Sequence, residues 1–188
     1  MPIVFRPAAE RGRLVDPGVA GTAAFSHGSA FDRDWLGFHA LRVLNRVELA
    51  PGAPLPAARR ANMEVLTLVL AGTYHVQSQA GDSGPVAAGQ WHRLGAGAGV
   101  DAVEQNLDPA ATLRLLQLWV QPTHSNAAPA QAVAATRGSA CWIEVIGGEL
   151  AYRGQFLRAG DGLGVADEAG FALVSSFGAD LLVVELPA

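Results

Sequence analysis

The sequence contains no lysine and little charge of either sign. All 13 basic residues are arginines, only 16% of the 188 residues are charged, and the formal net charge is −4. The longest basic run is Arg59-Arg60. Because a surface that follows a nucleic-acid backbone needs clustered positive charge, we expect no direct contact with nucleic acid.

Cysteine and long apolar runs are also nearly absent. Cys141 is the single cysteine, which excludes an internal disulfide framework and a cysteine-based zinc site. Its apolar neighbours Trp142 and Ile143 indicate a buried strand. No apolar run approaches the length of a membrane span, and the first residues do not have the pattern of a signal sequence. We therefore expect a cytoplasmic protein with no membrane contact.

Short apolar runs separated by glycine, proline, asparagine and aspartate dominate the sequence. With half of the residues apolar, 22 glycines and 11 prolines, this pattern is typical of a β sandwich or barrel. The predicted strands are 38–44, 64–70, 74–79, 91–94, 113–120, 142–146, 149–152, 163–166, 171–175 and 180–186. Between two of them, Gly147-Gly148 predicts a two-residue hairpin turn.

The region from Pro122 to Ser139 interrupts this pattern. It is rich in alanine, proline, serine, threonine and asparagine, which favours a connector. The sequence therefore predicts a first β unit over 1–122, a linker over 123–138 and a second, small β unit over 139–188.

Several segments carry a resemblance to a known family. They are Phe25-Ser26, 37–45, 63–72, 104–106 and 116–122 in the first unit, and 142–148, 161–164 and 181–187 in the second. Together they resemble the pirin family, especially its bacterial members. The resemblance implies an all-β fold in which a cupin barrel (a double-stranded β-helix, or jelly roll) precedes a second cupin-like unit, here truncated. It also implies one metal ion, usually iron, in the first barrel, and for some members the oxidation of quercetin.

The metal ligands are what this sequence lacks. The family holds its metal with three histidines and a glutamate, and the resemblance assigns these positions to Ala58, Arg60, Ala102 and Glu104. An alanine side chain has no donor atom, and an arginine is a permanent cation with no lone pair to give. We therefore expect no metal cofactor. One hypothesis is that Arg60 pairs with Glu104 or Glu64 inside a pocket; the alternative is a solvated loop.

Two further residues are pocket candidates. Glu64 opens a predicted strand on the same face as Leu66 and Leu68, where a carboxylate is costly unless it is paired. An exposed position at the strand end is the alternative. His92 lies in another predicted strand. A rearranged site of His92, Glu104 and Glu64 could bind iron or another divalent transition metal, and this is the alternative to a metal-free protein.

Three functional hypotheses follow. The leading one is a metal-free pirin-like protein without dioxygenase activity, which binds a small molecule or a protein partner. The alternative is an enzyme, a metal-dependent oxidoreductase of the quercetin 2,3-dioxygenase type with a rearranged site. The third is a regulatory or structural module that forms a homodimer through an exposed β edge.

Overall fold

The computed structural model describes residues 3–79, 81–122, 140–166, 173–175 and 178–186. Within these residues the chain forms fifteen β-strands, a single 3₁₀ turn at Ala8–Glu10 and no α-helix. The predicted all-β class is confirmed. No helix in the described part of the chain is long and apolar enough to cross a membrane.

The first strands in chain order are β1 (Ile3–Arg6), β2 (Gly12–Asp16), β3 (Val19–Ala23), β4 (Leu41–Leu49), β5 (Ala58–Arg60), β6 (Glu64–Ala71), β7 (Thr73–Ser78) and β8 (Gly81–Ala87). They are followed by β9 (Trp91–Gly95), β10 (Val100–Asn106), β11 (Leu113–Val120), β12 (Ala140–Tyr152), β13 (Gln155–Arg158), β14 (Gly162–Ala166) and β15 (Ala179–Leu186).

The strands form two compact units. The described residues of Gly12–Gly37 and Leu41–Val133 make up the first, which contains a sheet of order β2-β3-β4-β11-β6-β9 and a second sheet of order β5-β10-β7-β8. The other unit has a sheet of order β1-β14-β12-β13, with β15 also paired to β12. The pairings within these three sheets are antiparallel.

The core of the first unit is built from the inward faces of both its sheets. In β10, Val100 and Ala102 are buried, whereas Asp101 and Val103, which alternate with them, are exposed, as the period of a strand requires. Leu113 and Leu115 of β11 are buried in the same core. Burying one such side chain stabilises the fold by about 1.5–3 kcal/mol, so this core is the main support of the site described below.

The predicted hairpin at Gly147-Gly148 is wrong. β12 continues through both glycines, and its register against β15 shifts between Val145 and Gly147. Gly148 has a φ of +76°, and a Cβ there would overlap the carbonyl oxygen of Gly178. The two glycines therefore make an irregularity in a continuous strand, where residues with side chains would be strained.

The domain division stays a prediction, since the linker at 123–138 lies outside the described residues. Of the predicted strand 171–175, the first two residues also lie outside them, and Val174 forms an isolated bridge with Ala151. The structure adds that β1 pairs with β14, which brings residues 3–6 into the sheet of the second unit.

Cys141 packs half-buried against the core of the second unit, and burial raises the pKa of its thiol. Cys141 therefore packs as a small core residue, as the sequence indicates.

Candidate functional site

The four positions that the resemblance assigns to metal ligands lie on one face of two paired strands. The register of β5 against β10 sets Ala58 opposite Ala102 and Arg60 opposite Val100. Because alternate residues share a face, Arg60 lies beside Ala58, and Glu104 lies beside Ala102. The methyl groups of the two alanines are thus cross-strand neighbours, and the two charged residues flank them.

Arg60 and Glu104 form a buried ion pair. Nη2 of Arg60 donates to Oε2 of Glu104, and the two side chains are 3% and 2% exposed. Of the two partners that the sequence suggested for Arg60, Glu104 is the one it contacts, whereas Glu64 accepts from Arg93. The solvated-loop alternative applies instead to Arg59, whose guanidinium is 61% exposed and lies 3.0 Å from Asp101.

Neutral donors complete the environment of Glu104. Oε1 accepts from the hydroxyl of Tyr74 and, at 2.9 Å, from Nε2 of Gln117. Burial and the charge of Glu104 raise the pKa of Tyr74 far above its usual value, so this hydroxyl keeps its proton. With Arg60 the carboxylate has three donors, which is what a charge removed from water requires.

The amide of Gln117 connects Glu104 to two further side chains. Its Nε2 lies 3.3 Å from the hydroxyl of Thr67, and its Oε1 accepts from the indole Nε1 of Trp119 at 3.1 Å. The amide is buried, with an exposure of 3%. It therefore fixes the position of Trp119 relative to the carboxylate.

Aromatic rings line the Arg60 side of the cluster. The guanidinium carbon lies 5.2 Å from the ring centre of Trp119, within the range of a cation–π contact. The ring of His27 meets Trp119 edge-on at 5.0 Å, and its Nδ1 lies 2.7 Å from Nδ2 of Asn45. Burial, and then the charge of Arg60, lower the pKa of His27, which favours the neutral imidazole. The positive charge of this cluster is therefore that of Arg60.

His92 lies near the cluster, whereas Glu64 does not. His92 pairs with Thr67 across β9 and β6, and its ring meets that of Tyr74 edge-on at 6.0 Å. Burial lowers the pKa of His92, although the charge of Glu104 acts in the opposite direction. Glu64 lies on the other face of β6 from Thr67 and accepts from Nε of Arg93 at 2.9 Å. Glu64 as a pocket residue stays a prediction; strand alternation places it on the face of β6 opposite Thr67.

The residues of this cluster do not fit a metal ion. Glu104 already accepts from three donors, one of them a cation, while Ala58 and Ala102 have no donor atoms. Within the described ranges there is no group of three histidine, cysteine, aspartate or glutamate side chains that could hold a metal. The rearranged site of His92, Glu104 and Glu64 therefore finds no geometric support.

Sequence reasoning missed most of the polar partners. Alternation along the predicted strand 113–120 does place Gln117 on one face with Leu113, Leu115 and Trp119, and the structure agrees. A lone amide on an apolar face is a signal for a buried polar partner. Tyr74 offers no such signal, because its contact with Glu104 depends on the pairing of β7 with β10.

A groove of about 360 Å³ lies at the surface of the first unit. It is lined by Asp16-Pro17, by Pro54–Ala57, and by Ala102 and Val103 of β10. Ala102, one of the four positions assigned to metal ligands, therefore borders the groove, whereas Arg60 and Glu104 do not line it.

Known families match both units. The family model described as Pirin matches residues 5–120, and the model of the quercetinase C-terminal cupin domain matches residues 117–186. Together the matches cover residues 5–186 and support a bicupin β fold.

Individual relatives agree with the family models. A quercetin 2,3-dioxygenase of Escherichia coli K12 is 25% identical over 230 aligned positions, which cover 98% of this chain and 99% of the relative. Since this chain has only 188 residues, the relative contains residues that this chain lacks. A pirin-like protein of Caulobacter vibrioides is 35% identical over 105 residues, which are 56% of this chain and 45% of that protein.

The fold is also that of a solved structure. The crystal structure of the bacterial pirin YhhW of Escherichia coli in complex with nickel(II) has a TM-score of 0.88 and is 24% identical. The match covers 98% of this chain and 99% of that one. At this identity the likeness establishes the fold alone.

Proposed function

This chain belongs to the pirin family, and from that premise we propose that it is a metal-independent member without dioxygenase activity, which binds a small organic molecule in its first β unit. The observation that carries the proposal is the ion pair of Arg60 with Glu104. It occupies two of the four positions at which the family would hold its metal.

Electrostatics supports the absence of a metal. A carboxylate in a buried site needs a positive partner, and Arg60 supplies that charge in place of a metal ion. The same guanidinium repels a divalent cation at close range in a medium that screens charge weakly. Ala58 and Ala102 could not compensate, since they offer no lone pairs. A cation at Glu104 would therefore have to displace Arg60 while gaining a single ligand.

The side chains around the ion pair support a binding role. Arg60, Glu104 and Gln117 are buried together next to the rings of Trp119 and His27. A few polar groups set among aromatic side chains are typical of small-molecule sites. This argument does not require the chain to catalyse a reaction.

Dioxygenase activity is the competing function, because the matched Escherichia coli protein is named as a quercetin 2,3-dioxygenase. In this chain such an activity would need His92 and Glu104 to bind a metal in a new arrangement. The position of His92 near Tyr74 is its only structural support among the described residues.

An aerobic quercetin assay with added Fe(II), Ni(II), Mn(II) or Cu(II) tests the proposal. We expect no turnover above the rate of metal alone. The matched control is the variant Ala58→His, Arg60→His, Ala102→His, which restores imidazoles beside Glu104 and should bind one equivalent of metal. Turnover by the unmodified chain that is lost in His92→Ala would overturn the proposal in favour of the enzyme.

A further inference from the structure

The guanidinium of Arg60 has unused hydrogen-bonding capacity. Nη2 donates to Glu104, but Nε and Nη1 are buried and have no hydrogen-bond partner within the described structure. Leaving a buried donor without a partner is costly, more so for a charged group, and such atoms are rare in folded proteins. These two nitrogens therefore call for a partner from outside the chain.

The chemistry of arginine defines that partner. A guanidinium has only donors, so its partner must present acceptor atoms. Carboxylates are the preferred acceptors, because charge-assisted hydrogen bonds are shorter and stronger than neutral ones. The nearby carboxylate of Glu104 already serves Nη2, and that of Asp101 pairs with the exposed Arg59. The remaining donors match a carboxylate that the chain does not supply.

The surroundings of the two nitrogens match the rest of such a ligand. Trp119 lies beside the guanidinium, His27 packs against Trp119, and both side chains are partly exposed. A planar, apolar body fits against these rings.

We propose that Arg60 anchors the carboxylate of a small, planar organic acid, whose body lies against Trp119 and His27. The inference rests on the proposed function, since a metal ion at Glu104 would require Arg60 to leave. It extends that function by assigning the chemical class of the ligand and the residue that selects it.

The negative charge of Glu104 does not prevent an anion from binding. Glu104 contacts Nη2, whereas the ligand carboxylate would contact Nη1 or Nε, so the positive charge lies nearer to the ligand than the negative one does. Coulomb energy falls with distance, and the nearer charge prevails. Tyr74 and Gln117 also donate to Glu104 and stabilise its charge.

The test is isothermal titration calorimetry of the purified full chain with three acids and their neutral amides. The pairs are formate with formamide, acetate with acetamide, and benzoate with benzamide, and the metal content of the same sample is measured. We expect benzoate to bind at least tenfold more tightly than benzamide, which is about 1.4 kcal/mol. We also expect benzoate to bind more tightly than formate, because only benzoate reaches the rings.

Variants locate the binding. Arg60→Lys keeps a positive charge beside Glu104 but removes the free guanidinium donors, and should weaken benzoate binding at least tenfold. The double variant Arg60→Met, Glu104→Leu removes both buried charges and should abolish the preference for acid over amide. Arg59→Met, on the exposed face of the same strand, should bind as the unmodified chain does.

Three results would overturn the inference. They are equal affinity for acid and amide, undiminished binding by the Arg60→Lys variant, and no saturable heat with any of the three acids. The last would mean that water satisfies the guanidinium. A stoichiometric metal in the sample would instead refute the proposed function, so the two failures are distinguishable.

Discussion

Removing Arg60 should destabilise the fold far more than removing its neighbour Arg59. In Arg60→Met the carboxylate of Glu104 loses its positive partner, and at 2% exposure water cannot replace it. Breaking a buried ion pair from one side typically costs about 3–5 kcal/mol. Tyr74 and Gln117 still donate to Glu104, so we expect the lower half of that range.

Arg59→Met is the matched control, because the two arginines are consecutive in β5 and differ in burial. Arg59 pairs with Asp101 at the surface, and both side chains are more than half exposed. Substitutions at such positions usually change stability by no more than about 0.5 kcal/mol. Both variants lose one arginine, so the difference between their stabilities reports the effect of burial.

Urea unfolding measures the difference. The free energy of unfolding falls by about 1–3 kcal/mol per molar urea for small proteins. Arg60→Met should therefore lower the urea concentration at the unfolding midpoint by at least about 1 M. Because the chain has two compact units, the transition is followed by both circular dichroism and tryptophan fluorescence. Equal midpoints for Arg60→Met and Arg59→Met would refute the conclusion that Arg60 compensates a buried charge.

Three further variants test other parts of the account. Tyr74→Phe removes one donor to Glu104 and should cost about 1–3 kcal/mol in urea unfolding, whereas no loss would show that this hydrogen bond is dispensable. The pKa of His27 is lowered in the folded chain. Near and below pH 6.5, the usual pKa of histidine, the unfolded chain therefore binds more protons than the folded chain does. The free energy of unfolding should then fall as the pH falls through that value. In His27→Gln this fall should be smaller, and identical pH profiles of the midpoint would contradict the assignment. Gly162→Ala should lower the melting temperature, because the added methyl group would overlap the ring of Trp142. The expected cost in stability is about 1–3 kcal/mol. An unchanged melting temperature would mean that the ring can move aside.

The all-β class and several strands could be predicted from the sequence, because alternation is a local pattern. β6, β9 and β11 begin at the predicted residues for this reason. The prediction missed the strands β1, β2, β3, β5, β8, β10 and β13. Of these, β5 and β13 have only three or four residues and show too little of that pattern. The hairpin turn predicted at Gly147-Gly148 was wrong because a glycine pair fits a bulge as well as a turn. Which of the two forms depends on pairing with β15, which is distant in sequence.

The candidate site was predictable only in part. The pairing of Arg60 with Glu104 followed from charge and from the positions that the family resemblance assigned. The sequence did not decide which face Glu64 shares, because its strand has apolar residues on both faces. The contact of Tyr74 with Glu104 depends on the register between strands, which a local pattern does not contain.

The central claim is that a guanidinium has replaced the metal ion of the family in this chain. Elemental analysis tests it most directly, on protein incubated with Fe(II) or Ni(II) and freed of excess ion. The account predicts far less than one equivalent of transition metal per chain. One tightly held equivalent that disappears in the Glu104→Gln variant would contradict it.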